Sequence, residues 1–187
     1  ALVNALGADY WKPIQAGLDG ATDSEIVADL GGVAEDRIHQ ETYRLMTAAS
    51  PHLAAEIDEL EIDVEALQLP VTEKLLVVEL AGGLLVPLTR SVLQIDVVAK
   101  WQAPVVLVAR TALGTINHSL LSLEALRSRG VEIAGVAFVG EENDDSEKTI
   151  AALGRVKRLG RLPVVSPLTA NSLAEAFAEN FAIENFR

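Results

Sequence analysis

Cysteine is absent from the chain, which excludes disulfide bridges and thiolate chemistry and fits a reducing compartment. Long apolar runs are absent as well. The longest, such as Ala103 to Ala109, fall far short of a bilayer's width. The first residues lack the basic start of a signal peptide, so the expectation is a cytoplasmic protein. Basic residues are scarce: 15 Lys and Arg stand against 27 Asp and Glu, a formal net charge of −12. That balance opposes nonspecific binding to nucleic acid or to an anionic membrane, so neither is expected as a partner. An anionic ligand then requires a local cationic pocket. No internal repeat, low-complexity tract or linker interrupts the chain, and the acidic run Glu141 to Asp145 reads as a solvated loop.

What is present suffices for a core. With 187 residues, half of them apolar, the chain predicts a single α/β domain over residues 1–187. Ala8 to Trp11 reads as a short strand stopped by Pro13, and a polar stretch with Gly17 and Gly20 leads into a helix over DSEIVADLGG. His39 to Leu45 is ambiguous. Ser50-Pro51 opens a helix with serine as cap and proline in the first turn, and Asp63 to Leu67 is a further helical piece. From Leu75 onward the pattern is regular. Strands are predicted at Leu75 to Glu79, Val105 to Ala109, Ile133 to Phe138 and Leu162 to Val165, with helices at Ser91 to Lys100, Asn117 to Ser128, Asp145 to Leu159 and Ser172 to Phe181. Continuous β-branched strands joined through helices imply a doubly wound, mainly parallel sheet flanked by helices.

The stretch LLVVELAGGLLVPL, Leu75 to Leu88, carries the most chemistry. A buried strand delivers one carboxylate, Glu79, and then the pair Gly82-Gly83, at the sheet edge where α/β ligands bind. That rim should also receive Lys12, the loop from Arg110 to Asn117 and the segment after Phe138. A metal-bound phosphate or a small polar substrate suits such an edge; a capped turn after a buried strand accounts for the same residues.

Four ordered segments carry a family resemblance: YWKPIQAG (Tyr10 to Gly17), SPHLAA (Ser50 to Ala55), VVELAGGLLVPL (Val77 to Leu88) and LVARTALGTINHSLL (Leu107 to Leu121). Together they resemble dethiobiotin synthetase, an ATP-dependent enzyme of the P-loop nucleotide-hydrolase fold. The resemblance implies that carbon dioxide adds to one amine of 7,8-diaminononanoate, that ATP phosphorylates the carbamate, and that the second amine closes a cyclic urea. Magnesium assists the transfer, and the substrate carboxylate is held across a homodimer interface.

The implied site follows residue by residue. Lys12 stabilises the carbamate and transferred phosphate, unless it is simply a lysine at a turn. Glu79 and Asp23 suit magnesium, which takes one or two carboxylates beside phosphate and water. Asp23 serves equally well as a helix cap. Gly82 and Gly83 let backbone approach the diamine, or merely form a turn needing positive φ. Thr115, Ile116 and Asn117 follow Gly114 and precede a helix whose start favours an anion, and the resemblance implies that they receive the substrate carboxylate, with Asn117 as a plain N-cap the simpler alternative. Glu79, Val139 and Leu162-Pro163-Val164 are the implied nucleotide contacts. His39, His52 and His118 sit on separate segments without ligand spacing and are assigned no metal.

The departures are specific. No G-x-x-x-x-G-K-[ST] phosphate loop occurs, and the chain begins inside what the resemblance makes the helix after that loop. The expectation is that an N-terminal segment carrying the first strand and that loop precedes these residues. Leu80 stands where the family has glycine, and should crowd the glycine turn. Val139 stands where the family usually places an asparagine for adenine, which removes an amide from the base edge. A catalytically silent relative or an engineered scaffold of the same fold is therefore the alternative. A chromosome-partitioning type of ATPase is a third possibility, disfavoured by the KPIQAG and GTINH segments.

Overall fold

The computed structural model describes residues 1–186, and its backbone forms two compact units, Ala1–Trp101 and a second from Gln102 onward. The first contains α1 (Leu2–Leu6), β1 (Asp9–Trp11), β2 (Ile14–Ala16), α2 (Asp23–Gly31), β3 (Ile38–His39), β4 (Tyr43–Leu45), α3 (Pro51–Ile57), β5 (Leu76–Val78) and α4 (Gln94–Trp101). The second contains β6 (Val105–Arg110), α5 (Thr115–Ser128), β7 (Ile133–Val139), α6 (Asp144–Leu153), β8 (Arg158–Leu162) and α7 (Ala170–Asn180). Every strand pairing between these elements is parallel, in three ladders ordered β3-β1-β5, β2-β4 and β6-β7-β8. This is the predicted parallel α/β class.

In the first unit β1 is central, its Tyr10 opposite Ile38 on one side and Val77 on the other. Such a strand is buried on both faces, and Asp9, Tyr10 and Trp11 are all buried. Pro13 ends β1 as expected, but the chain resumes pairing at once. Ile14 to Ala16 form β2 against Tyr43 to Leu45, which resolves the ambiguous segment and adds a strand the sequence had not revealed. Ile14, Leu45, Ala54, Ala55, Ile62, Leu67, Leu88 and Val97 form the main apolar core of this unit. The indoles of Trp11 and Trp101 lie 5.8 Å apart, tilted by 52°; each donates to a main-chain carbonyl, of Gln40 and Leu67, so their polar edges are satisfied.

The second unit closes around Ala109, Leu123, Val136, Phe138 and Ile150. Here the predicted boundaries shift. The helix expected to run to Leu159 ends at Leu153, and β8 lies at Arg158–Leu162 instead of Leu162 to Val165. Gly154 packs where a Cβ would strike the Ile150 carbonyl and the Leu123 side chain, and Arg155 turns to φ 45°. The chain must leave the helix there, and β8 starts upstream of the residues whose apolarity suggested it. Likewise α4 begins at Gln94 and not Ser91, because Thr89 Oγ1 accepts from the Ser91 and Val92 amides and holds a turn first.

Candidate active site

Extended backbone sends residues two apart to the same side, so Tyr10 and Lys12 leave the end of β1 together. Both reach Glu79, the first residue beyond β5. The Tyr10 hydroxyl donates to Glu79 Oε2 at 2.9 Å, and the Lys12 ammonium donates to Glu79 Oε1 at 3.2 Å. A second carboxylate, Asp23 Oδ2, lies 2.6 Å from the same ammonium, and the Leu80 carbonyl accepts from it at 3.5 Å. Lys12 is only 5 % exposed, while the Asp23 and Glu79 side chains keep 38 % and 46 % of their surface. A buried cation is thus clasped by two carboxylates that are themselves partly exposed. The turn-lysine alternative does not describe this arrangement.

Asp23 is not the cap of α2. Thr22 holds that position and accepts from the Glu25 amide, while Glu25 returns a bond to the Thr22 amide, a complete capping box. Asp23, one residue on, is released to face Lys12. Its position is fixed from behind: Gln15 Oε1 accepts from the Asp23 amide at 3.2 Å, and Ser24 Oγ donates to Glu41 Oε1 at 2.6 Å. Gln15, Ser24 and Glu41 are all buried. Burial works to raise the Glu41 carboxyl, but the bonds from Ser24 and Arg44 outweigh it and hold the group below its ordinary range. Tyr10 shows the opposite balance. Burial first, then the charge and hydrogen bond of Glu79, push its phenol far up, so it remains a donor.

Beyond Glu79 the chain turns at Gly82, whose φ of 87° is open to few residues but glycine. Gln94, at the start of α4, clasps this turn from both ends, accepting from the Ala81 amide and donating to the Gly83 carbonyl, each at 3.0 Å. Leu80 does not crowd the glycines. It is partly buried and lines a small cavity with Pro13, Ile14, Leu67, Leu88 and Trp101. Sequence reasoning missed Tyr10, Gln15, Glu41 and Gln94. Only Tyr10 had a signal, its two-residue spacing from Lys12.

In the second unit the carboxyl ends of β6, β7 and β8 share one edge of a parallel ladder. Thr115, Ile116 and Asn117 form the first turn of α5, after Gly114 at φ 92°. Asn117 is not the cap expected of it: Gly114 occupies that place, and no side chain caps the helix. Asn117 is exposed, whereas Ile116 packs onto the core. Val139 closes β7, Leu162 closes β8, and Pro163 and Val164 follow on the same edge. Of the histidines, His39 meets Asp9 at 3.3 Å and His52 meets Ser50 Oγ at 3.1 Å. Ser50 is therefore engaged with His52 and does not cap α3 with its side chain. Among the described residues no three His, Cys, Asp or Glu side chains are grouped to hold a metal, and no helix is long and apolar enough to cross a membrane.

A parallel α/β fold that brings a clasped lysine past β1 together with one acid past β5 and one at the start of α2 suits a nucleotide-dependent enzyme, and residues 1–172 match the family described as an AAA domain. ATP-dependent dethiobiotin synthetase BioD of Nitrobacter hamburgensis is 60% identical over 186 residues, covering 100% of this chain and 88% of that protein. The enzyme of the same name from Rhodopseudomonas palustris strain BisB5 is 61% identical over 186 residues with the same coverage, and that of Brucella ovis is 56% identical. The chain belongs to the dethiobiotin synthetase family, ATP-dependent ligases that form carbon–nitrogen bonds.

Proposed function

We propose that this protein converts 7,8-diaminononanoate, carbon dioxide and ATP to dethiobiotin, ADP and phosphate in the cytoplasm. One amine nitrogen attacks carbon dioxide and loses a proton, giving a carbamate. A carbamate oxygen takes the γ-phosphoryl group of ATP as ADP leaves. The second amine then attacks the carbamoyl carbon, and phosphate departs with its electron pair. Little covalent chemistry falls to the protein. Its task is to hold reactants in line and to offset charge on the carbamate and phosphoryl oxygens.

The buried Lys12 ammonium, held by Asp23 and Glu79, carries this reading. A lysine pinned at both sides meets a developing anion without reorganising, which is the condition for electrostatic catalysis. One lysine and two carboxylates nevertheless sum to a single negative charge, and an anion gains little there unless a further cation joins. The two half-exposed carboxylates fit magnesium, a hard ion that takes one or two carboxylates and completes its shell with phosphate and water. Asp23 and Glu79 would hold it, and it would supply positive charge to the phosphate oxygens.

Gly82 and Gly83 give the diamine a surface without side chains. Thr115, Ile116 and Asn117 receive the substrate carboxylate of a second subunit at the first turn of α5. The Val139 and Leu162 to Val164 segments are the nucleotide contacts of the second unit, and Glu79 is that of the first. Full-length protein incubated with the diamine, bicarbonate, magnesium and ATP should yield dethiobiotin by mass spectrometry, with one ADP per product. Absence of product while ATP stays intact would refute the reading. A monomer by light scattering under turnover conditions would remove the shared-interface role of Thr115 to Asn117.

A further inference from the structure

A buried ion cluster unconnected with Lys12 lies in the second unit. Glu147, in the first turn of α6, is 1 % exposed. Its Oε2 accepts from Arg158 through both Nε at 2.7 Å and Nη2 at 2.6 Å, and its Oε1 stands 3.4 Å from Arg161 Nε. Arg161 reaches further, donating through Nη1 to the Gly140 carbonyl at 3.0 Å, with Glu142 at 3.6 Å. Burying a carboxylate is costly, and apolar residues often fill such a place at least as stably. The β7–β8 ladder already holds the strands along Val136 to Val139, so stability alone explains the cluster poorly.

Its reach shows what it adds. The Gly140 amide donates to the Leu162 carbonyl at 3.0 Å while the Gly140 carbonyl is taken by Arg161. Both polar groups of this residue are fixed by consecutive residues of β8. Gly140 sits at φ 126°, with Thr111 Oγ1 only 2.5 Å from where a Cβ would lie, and Thr111 in turn donates its amide to the Val139 carbonyl at 3.1 Å. Main-chain bonds therefore join the ends of β6, β7 and β8, and Arg161 stands beside buried Glu147, whose Oε1 makes an ion pair with it and no hydrogen bond.

We propose that Arg161, oriented by Glu147, is a positioning residue for the nucleobase of the purine nucleoside triphosphate. It fixes the Gly140 peptide through its carbonyl, and the Gly140 amide in turn holds the Leu162 carbonyl on the edge that receives the base. Base selection then rests on a backbone edge held in place by this ion pair. The inference rests on the nucleotide role given above to Val139 and Leu162 to Val164.

The test compares wild type with Arg161→Ala, Arg161→Lys and Glu147→Gln in the full-length protein, reading the KM for ATP, GTP and diamine, kcat, and calorimetric affinity for ATP with magnesium. Arg161→Ala should raise the ATP KM and Kd by about five- to tenfold, the scale of one charge-assisted hydrogen bond, and narrow the preference between ATP and GTP. The kcat at saturating ATP and the diamine KM should stay within about twofold, as expected where only ground-state positioning is lost. Arg161→Lys keeps the charge but not the fork, and should recover affinity only in part. Should Glu147→Gln fail to fold, the two Arg161 variants still decide. An unchanged ATP KM in folded Arg161→Ala, or an equal fall in every parameter, overturns the inference. Wild type that binds ATP but forms no dethiobiotin removes the proposed reaction and leaves the calorimetric test of Arg161 standing; wild type that binds no ATP removes both.

Discussion

Replacing Lys12 with methionine separates the roles of this residue most cleanly, because methionine keeps the buried stem and deletes only the ammonium. The folded state loses two ion pairs, at 2.6 and 3.2 Å. Both carboxylates are more than a third exposed, so water compensates for much of the loss, and each pair contributes only about 0–1 kcal/mol. Burying the ammonium was itself unfavourable. The net effect on stability is therefore about 1 kcal/mol, a shift of ~2–4 °C in melting temperature for a chain of this size. Catalysis answers on another scale. Removing one preorganised group that meets developing charge costs ~10²–10³ in kcat, or about 3–4 kcal/mol. Lys12→Met should thus melt almost normally and turn over at about a hundredth of the wild-type rate or less. Product formation by mass spectrometry, paired with thermal melting, reads both quantities. Turnover within tenfold of wild type would refute the argument, as would a melting loss so large that the rate merely reports unfolding.

Tyr10 gives a test on the alkaline side. Its phenol is pushed up in the fold, mainly by burial, whereas an unfolded tyrosine ionises near 10.0. It therefore supports the fold below that pH, and its contribution falls as pH rises beyond it. Tyr10→Phe should flatten the decline of the urea midpoint above pH 10.0; an unaltered slope would contradict this. On the acid side, the Thr72 hydrogen bond foremost, aided by His39 and Lys74, holds the Asp9 carboxyl below its ordinary value of 3.8. Its contribution is present above that pH and is lost as pH falls, so Thr72→Val should move acid unfolding, followed by circular dichroism, to higher pH. Thr22→Ala removes the α2 cap and should lower stability by about 1 kcal/mol; an unchanged melting temperature would show that Glu25 and Asp23 hold the helix start without it.

The parallel α/β class was legible because β5, β6 and β7 are continuous apolar segments bounded by helical patterns. Strands β2, β3 and β4 were not, since two or three residues show no period. The end of α6 was misplaced because helical periodicity runs through Gly154 without revealing that its missing Cβ is what lets α5 and α6 approach. For the candidate site the division is similar. Lys12 and Glu79 stand at strand ends, a position readable from sequence, and their family resemblance reinforced it. Tyr10 and Glu79 are 69 positions apart, and the Gln94 clasp and the Glu147–Arg161 pair likewise depend on contacts that no local pattern encodes. Asp23 was ambiguous between cap and ligand because Thr22, Asp23 and Ser24 are all good capping residues; only the geometry of the capping box decides among them.

The charge of the chain and its two ion clusters belong to one argument. At a net −12, any anion is repelled at long range, so cations that meet a phosphate or a carbamate must do so at contact distance and in fixed positions. Both clusters hold their cations in fixed positions in the same way. Lys12 is held by Asp23 and Glu79, and Arg161 by Glu147 with Glu142 beside it. Pairing each cation with acids weakens the positive potential it projects but removes its rotational freedom, which for lysine or arginine is worth about 2 kcal/mol. The consequence is a division of labour. The side chains supply order, and net positive charge must come from an ion carried with the nucleotide. Magnesium dependence of the diamine reaction should therefore stay steep at high ionic strength, because half-buried pairs are screened far less than surface charges. Activity that persists after chelation, or that vanishes with added monovalent salt while magnesium is saturating, would show that long-range attraction and not local geometry governs the site.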